Sequence, residues 1–340
     1  MRAFTVENAS RIDDLRCVDV ALPALGEGDV KVRIHAVSIN NRDLLVIRGI
    51  SIWRPDVRRI ICSDAAGVVT EVGPGVHHLA VGDRVASVFL SDWIDGPLTD
   101  DKTTGGPGAA RHEGMLAQYR VLPERSFIKI PDRMSFVHAS TLPCAAVTAW
   151  NALFEQSPIR PGDRVIVIGA GGVSVFSLMF ARLAGAQVIA VTRRAEHAET
   201  LRALGASHVI VAADLQAAAA RIVEQALCAD LVIDVVGGDI RPQCQMIRTG
   251  GRLCIVGVAE GLDIHMDLLT MPVRIDTLSV GSRRMFEKML AAMSVNEMHP
   301  VIDRIFPFDK TIDAFHYFAT SRQVGKVVIE IPFDAESEGT

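Results

Sequence analysis

Two hydrophobic rhythms divide this chain near residue 146. Before about residue 125, short runs rich in β-branched residues recur: Val30–Ile34, Ala66–Val72, Arg84–Leu90 and Gln118–Val121. The turn signals GEGD (Gly26–Asp29), GPG (Gly73–Gly75) and VGD (Val81–Asp83) punctuate them. Short apolar runs between Gly, Pro and Asp predict an antiparallel, barrel-like β domain. A glycine- and charge-rich loop, Ser91–Glu113, is long enough for a lid or an interface element. Beyond residue 146 strand and helix patterns alternate. Strands are expected at Val165–Ile168, Gln187–Val191, Ser207–Val211, Leu231–Val235 and Gly251–Val256, and helices at Val173–Leu183, Ala195–Leu204, Gln216–Leu227 and Arg241–Ile247. That spacing predicts βαβ units and a doubly wound parallel sheet. The tail from Gly281 reads as a helix followed by strands Val301–Phe306 and Lys326–Ile331, which return to the first domain. The expected division is 1–145 plus 281–340 for one domain and 146–280 for the other.

Within the second rhythm, Val165–Ser174 reads VIVIGAGGVS. Its opening four residues are apolar and β-branched, as in a strand buried on both faces. Gly169, Gly171 and Gly172 allow a tight turn, and Val173 begins a helical pattern. A strand, a glycine turn and a helix start make a phosphate cradle, because unpaired N–H groups at a helix start attract anions. The motif points to a dinucleotide; the plain alternative is an ordinary βα turn.

Composition narrows the class. The 340 residues suit two domains, and 49% hydrophobic with 22% charged content suits a soluble globular protein. A net charge of −5 without a Lys/Arg run gives no footprint for nucleic acid. The longest uncharged stretch, Val165–Ala181, is 17 residues and falls short of the roughly 20 that span a membrane. The start, MRAFTVENASRIDD, lacks the apolar core of a signal peptide. Six cysteines without a CxxC pair read as reduced thiols, so a cytoplasmic location is expected.

The order of β domain, GxGGV cofactor fold and returning strands resembles the medium-chain dehydrogenase/reductase superfamily. The resemblance runs through SINNRDLLVIRG (Ser38–Gly49), SDAAGVVTEVGPGV (Ser63–Val76), VGDRV (Val81–Val85), TLPCAAVTAWNAL (Thr141–Leu153), GAGGVS and GKVVIEIP (Gly325–Pro332). It implies a Rossmann domain plus a GroES-like β-barrel catalytic domain, and it looks most like the zinc-free, quinone-oxidoreductase-like branch. In zinc-dependent relatives a Cys, a His and a second Cys hold the catalytic metal. Here Asn40 stands at the first position, Ser63 replaces the His, and only Cys144 keeps a ligand-type side chain. A catalytic zinc takes three protein ligands, so no zinc is expected. Cys62, Asp64 and Cys144 are the residues from which an irregular metal site could be built.

Where NAD-specific folds carry an acid for the ribose 2′-OH, this chain has Thr192, Arg193 and Arg194. A neutral hydroxyl and two cations suit a 2′-phosphate, hence NADP(H); surface arginines of the next helix are the alternative. The resemblance places Thr148 beside the nicotinamide, Gly257, Gly281 and Ser282 near its ring, and Lys326 near the phosphates, although a surface lysine is an alternative for Lys326. Without a metal, donors must stabilise the developing oxyanion. Asn40, Asn41, Arg42 and Ser63 are the candidates, with Asp43 and Asp64 orienting them. No general acid stands out, which leaves solvent as the proton source. The expected activity is NADPH-dependent, zinc-independent hydride transfer to a conjugated carbonyl or quinone. An alcohol dehydrogenase for a secondary or aromatic alcohol, and a nucleotide-binding sensor with little catalysis, are the alternatives. A homodimer joined along the edge strand near Ile275–Gly281 is expected, since exposed strand edges need partners. Trp93 and Asp95 read either as a cover for substrate or as packing.

Overall fold

The computed structural model describes residues 1–7, 11–50, 53–55, 57–103, 106–108, 112–156, 158–257, 262–263, 273–320 and 322–332. The chain forms two compact units, Met1–Val147 with Gly281–Thr340, and Thr148–Val280. No helix among the described residues is long and apolar enough to cross a membrane.

The first unit begins with β1 (Arg2–Val6), β2 (Arg16–Asp19), β3 (Asp29–Ser38), α1 (Asn41–Ile47) and β4 (Arg59–Ile60). It continues through β5 (Asp64–Val72), β6 (Arg84–Ser87), β7 (Tyr119–Pro123), β8 (Phe127–Lys129) and α2 (Phe136–Ala139). In β3, buried Val30, Val32, Ile34 and Ala36 alternate with the more exposed Lys31, Arg33 and His35. That alternation is the period of a strand with one face on the core. β6 is shorter than the run Arg84–Leu90 suggests. After Ser87 the Val88 N–H turns to the Ser126 carbonyl, and Val88, Phe89 and Leu90 are buried outside the ladder.

The second unit follows α3 (Val147–Trp150) with β9 (Arg164–Ile168), α4 (Gly172–Leu183), β10 (Gln187–Thr192), α5 (Ala198–Ala203), β11 (His208–Val211) and α6 (Leu215–Glu224). Then come β12 (Ala229–Asp234), β13 (Gly238–Asp239), α7 (Arg241–Gln245), β14 (Ile247–Ile255), β15 (Leu262–Asp263) and β16 (Arg274–Thr277). The main sheet has the order β11-β10-β9-β12-β14-β16, parallel throughout. The order reverses between β9 and β12, the switch point where doubly wound sheets bind ligands. Trp150, Phe154, Phe176 and Phe180 stack edge-on and face-on behind α4. β16 is an edge strand covering only part of the expected Ile275–Gly281 run.

The chain returns to the first unit through α8 (Arg283–Val295), β17 (Ile302–Pro307), α9 (Thr311–Ala319) and β18 (Lys326–Glu330). β18 pairs antiparallel with β3, with Val328 opposite Ser38, and β17 lies parallel to β18. The sheet β17-β18-β3-β5-β6-β8, with β7 also on β3, is therefore mixed rather than wholly antiparallel. Phe315 of α9 joins Ile34, Ile39, Ile47, Val327 and Ile329 in its core.

Gly67 in β5 lies opposite Ile34, beside the point where the β3 register shifts between Ile34 and Ala36. A Cβ at Gly67 would run into the Arg33 carbonyl and lie 3.0 Å from the Ile34 Cα, both backbone atoms that cannot rotate away. Gly67→Ala is expected to lower stability by about 2 kcal/mol, as overpacking does. Urea unfolding measures it, and an unchanged midpoint would contradict the close approach.

Candidate active site

The corner between β3 and α1 gathers most of the expected catalytic residues. Asn40 precedes α1, and its backbone N–H donates to Asp43 Oδ2 at 2.8 Å. This carboxylate return ties the helix start to its own first turn. Asn40, Arg42, Asp43, Ser63 and Asp64 are all buried, whereas Asn41 faces out and is exposed. Asn41 therefore does not belong to the cluster, because the first helical residue points away from it.

Asp64 opens β5 and is fully enclosed. Its Oδ1 accepts from the Ser63 hydroxyl at 2.6 Å, and its Oδ2 accepts from the Cys144 backbone N–H at 3.0 Å. Ser87 braces the same corner, donating to the Ser63 carbonyl and accepting from the Ala65 N–H, each at 3.0 Å. Cys62, just before it, holds φ +67, unusual for a residue with a side chain. Cys144 sits in a widened helical stretch, Leu142–Ala146. Burial, then the neighbouring Asp64, pushes its thiol up to about 12. Burial also raises the Cys62 thiol well above its ordinary value.

Arg42 donates Nη1 to the Pro107 carbonyl at 2.5 Å and meets Asp43 Oδ1 at 3.3 Å. Its guanidinium lies over the rings of Trp53 and Phe89, 5.1 and 5.4 Å from their centroids. Burial raises the Asp43 carboxyl from 3.8 to about 6, with Arg42 opposing the shift.

Lys326 is the largest departure from expectation. It is neither a surface lysine nor free for a phosphate: it is 2% exposed. Its Nζ donates to the Ile39 carbonyl at 2.8 Å and to Asn40 Oδ1 at 2.5 Å. Burial lowers its pKa, opposed by Asp64, Cys144, Asp43 and Cys62 around it. The reason is register: it is the first residue of β18, and the pairing of β18 with β3 sets it across from Asn40. The sequence signal was a lysine leading directly into the apolar run VVI.

In the second unit the glycine turn has the expected form. Gly169 takes φ +90, and Gly171 precedes α4 with nothing within 4 Å of where its Cβ would stand. That leaves the start of a 12-residue helix approachable at Gly171, Gly172 and Val173, which fits a pyrophosphate. Ser174, at the third glycine position, ties the turn to the strand: its hydroxyl donates to the Ile168 carbonyl at 2.7 Å. Thr192 is buried, and its Oγ1 accepts from the Arg194 N–H at 3.1 Å. Arg194 pairs with Glu196 at 3.4 Å, while Arg193 is exposed without a partner among the described residues. Thr148 is buried, and a Cβ at Gly257 would lie 2.7 Å from the Val235 carbonyl oxygen. In the first unit, Ser282 spends its hydroxyl capping α8, accepting from the Met285 N–H at 3.2 Å. A Cβ at Gly281 would lie 2.6 Å from Val147 Cγ1. Trp93 is a packing residue: it is buried, its Nε1 donates to the Gly96 carbonyl, and its own carbonyl accepts from Arg283.

A 3-2-1-4-5-6 parallel sheet with an open glycine turn, together with a β unit carrying buried polar chemistry, defines an NAD(P)-dependent oxidoreductase. Comparison with known proteins agrees. Residues 26–132 match the alcohol dehydrogenase GroES-like domain family, and residues 204–329 match the zinc-binding dehydrogenase family. A zinc-type alcohol dehydrogenase-like protein of Schizosaccharomyces pombe is 33% identical over 97% of this chain and 99% of its own. A 2-methylene-furan-3-one reductase of Solanum lycopersicum is 28% identical over 97% of this chain and 79% of its own. A solved structure from Sinorhizobium meliloti, described as a candidate alcohol dehydrogenase, has 34% identity and a TM-score of 0.85 over 97% of this chain and 99% of its own. The chain belongs to the medium-chain dehydrogenase/reductase superfamily.

The matched zinc-binding dehydrogenase family and the Schizosaccharomyces pombe relative carry names that imply zinc. Among the described residues no group of three or more His, Cys, Asp or Glu side chains is arranged to hold a metal. Asn40 Oδ1 is already taken by the Lys326 ammonium, and the Ser63 proton by Asp64. This donor set does not suit a zinc ion.

The Asp43 shift makes stability depend on pH. The folded state holds the Asp43 proton up to about 6, whereas the unfolded chain releases it near 3.8. Its contribution is full below the lower value and is lost as pH rises through the upper one. Asp43→Asn stays neutral throughout, so from about pH 3 to about pH 8 its stability relative to the parent should rise by about 3 kcal/mol. Urea unfolding across that range tests this, and a constant difference would refute it.

Proposed function

We propose that the protein uses NADPH, without zinc, to reduce a conjugated carbonyl compound or a quinone. The observation that carries this reading is the buried Lys326–Asn40 pair, in which an ammonium occupies the Oδ1 of the residue matched to the first Cys ligand of metal-dependent relatives. Gly169, Gly171, Gly172 and Val173 would hold the pyrophosphate, and the free guanidinium of Arg193 would meet the 2′-phosphate. When bound, the dinucleotide supplies the hydride. Of the expected oxyanion donors, Ser63 is committed to Asp64, while Arg42 spends Nη1 on Pro107 and Asp43 and keeps Nε and Nη2 unpaired against the rings of Trp53 and Phe89. Asn40 keeps an unused Nδ2. As hydride adds to the β-carbon, the alkene electron pair moves to the carbonyl oxygen, and Nδ2–H stabilises the resulting enolate. Water then protonates the α-carbon, which closes the balance. A delocalised enolate or hydroquinone anion asks less of a neutral donor than an isolated alkoxide would, for which a Lewis acid is the usual answer. The name of the tomato relative, a reductase of an exocyclic enone, supports the same class. Homodimerisation along the edge strand near Ile275–Gly281 belongs to this reading, β16 being the last strand of the sheet among the described residues.

The test is a panel of enones, quinones, aldehydes and secondary alcohols run with NADPH and NADH, with metal content measured on the same protein. Enone or quinone reduction with NADPH, insensitive to chelators, is expected. Activity that requires stoichiometric zinc would overturn the proposal. Arg193→Ala should raise the KM for NADPH about tenfold or more and leave that for NADH unchanged, given the worth of a charge-assisted bond.

A further inference from the structure

Asn40 has its two ends in different conditions. Its Oδ1 accepts from the Lys326 Nζ at 2.5 Å, and its backbone N–H is held by Asp43 at 2.8 Å. Its Nδ2 is buried with no hydrogen-bond partner, although the residue is only 7% exposed. A side-chain amide can usually turn over to pair whichever end is short of a partner. This one cannot, because an ammonium carries three donors and no acceptor and so demands the oxygen. The Ile39 carbonyl fixes the ammonium from a second direction. The orphan is therefore a forced outcome of the lysine's position. Leaving a buried donor unpaired is costly, and such groups in native proteins call for an explanation.

We infer that Lys326 is a positioning residue for the reduction: it locks the Asn40 amide so that Nδ2–H stands as the donor for the acceptor's carbonyl oxygen. The inference rests on the function proposed above. It assigns to an ammonium the placement that a metal gives in zinc-dependent relatives, and it makes Asn40 depend on a residue 286 positions away. A simpler role, balancing Asp43 and Asp64, would stabilise the fold without acting through Asn40.

A double-mutant cycle with NADPH and 3-nonen-2-one separates the two. Lys326→Met should lower kcat about tenfold or more in the parent while leaving the KM for NADPH within about twofold. In an Asn40→Ala background the same change should lower kcat by less than about twofold. Equal losses in both backgrounds would overturn the lock. If Lys326→Met does not fold, Lys326→Arg enters the same cycle under the same criterion. A second readout needs no turnover. In protein labelled with 15N-asparagine, the Asn40 amide pair, assigned by its loss in Asn40→Ala, should shift in Lys326→Met; an unmoved pair would overturn the lock. If the parent protein reduces none of the panel acceptors, the proposed function fails, and the amide signal alone decides whether Lys326 holds Asn40.

Discussion

An ammonium taken out of water must find acceptors and negative charge, and one corner of the first unit is arranged around that demand. Lys326 is enclosed, and the Ile39 carbonyl, Asn40, Asp43 and Asp64 all answer it. The burden is spread over three separate segments: β18 supplies the cation, the β3–α1 corner the acceptors, and the start of β5 a carboxylate. Antiparallel pairing of β18 with β3 brings the first two together, so sheet register is what places the chemistry. A one-residue slip would turn Lys326 to the other face of the sheet. The core residues Val327 and Ile329 alternate with it, which makes such a slip expensive.

The carboxylate side has its own backbone device. Cys62 in the left-handed region turns the chain sharply into Ser63 and Asp64. Strain of that kind persists only where the surroundings fix it. Gly108 and Gly114 supply the fixing, since each lies so close to the Cys62 backbone that a Cβ would collide with it. From that bend Asp64 accepts both the Ser63 hydroxyl and the Cys144 N–H, joining the strand start to the helical stretch at Leu142. Ser63 is therefore spent on structure, which leaves the Asn40 amide and two guanidinium nitrogens of Arg42 as the unpaired donors of this corner.

The two halves of the protein differed in how far their sequence could be read. The strand, glycine turn and helix of Val165–Leu183 are a local pattern, each residue's role set by its neighbours, and the structure has them within one residue. Thr192, Arg193 and Arg194 were legible as a set, but the split between a paired Arg194 and a free Arg193 depends on Glu196, whose reach no pattern encodes. In the β unit the strands β3 and β5 were readable from alternation, whereas α9 was missed because it is short, although Ile312, Phe315 and Phe318 stand three apart on its core face. Asn40, Ser63 and Asp64 came from resemblance. Lys326 could not be placed, because its partner lies 286 residues away and only the register of a non-local strand pair decides which.

The name of the matched zinc-binding dehydrogenase family and the donor set of this chain pull in different directions, and the charges bear on the choice. For zinc to sit here, Cys144 would have to give up a proton that burial holds to about 12. Asn40 would have to bind through an oxygen already used by Lys326, and Ser63 through a neutral hydroxyl whose proton is held by Asp64. The ammonium itself would have to leave, since a second cation beside it in a low-dielectric interior is strongly repelled. Each change undoes an interaction that the fold spends long-range contacts to make. A site can keep a fold's placement of chemistry while exchanging the group that performs it. On the reading proposed above, the exchanged group is the Lys326 side chain, held by the same sheet that shapes the rest of the corner.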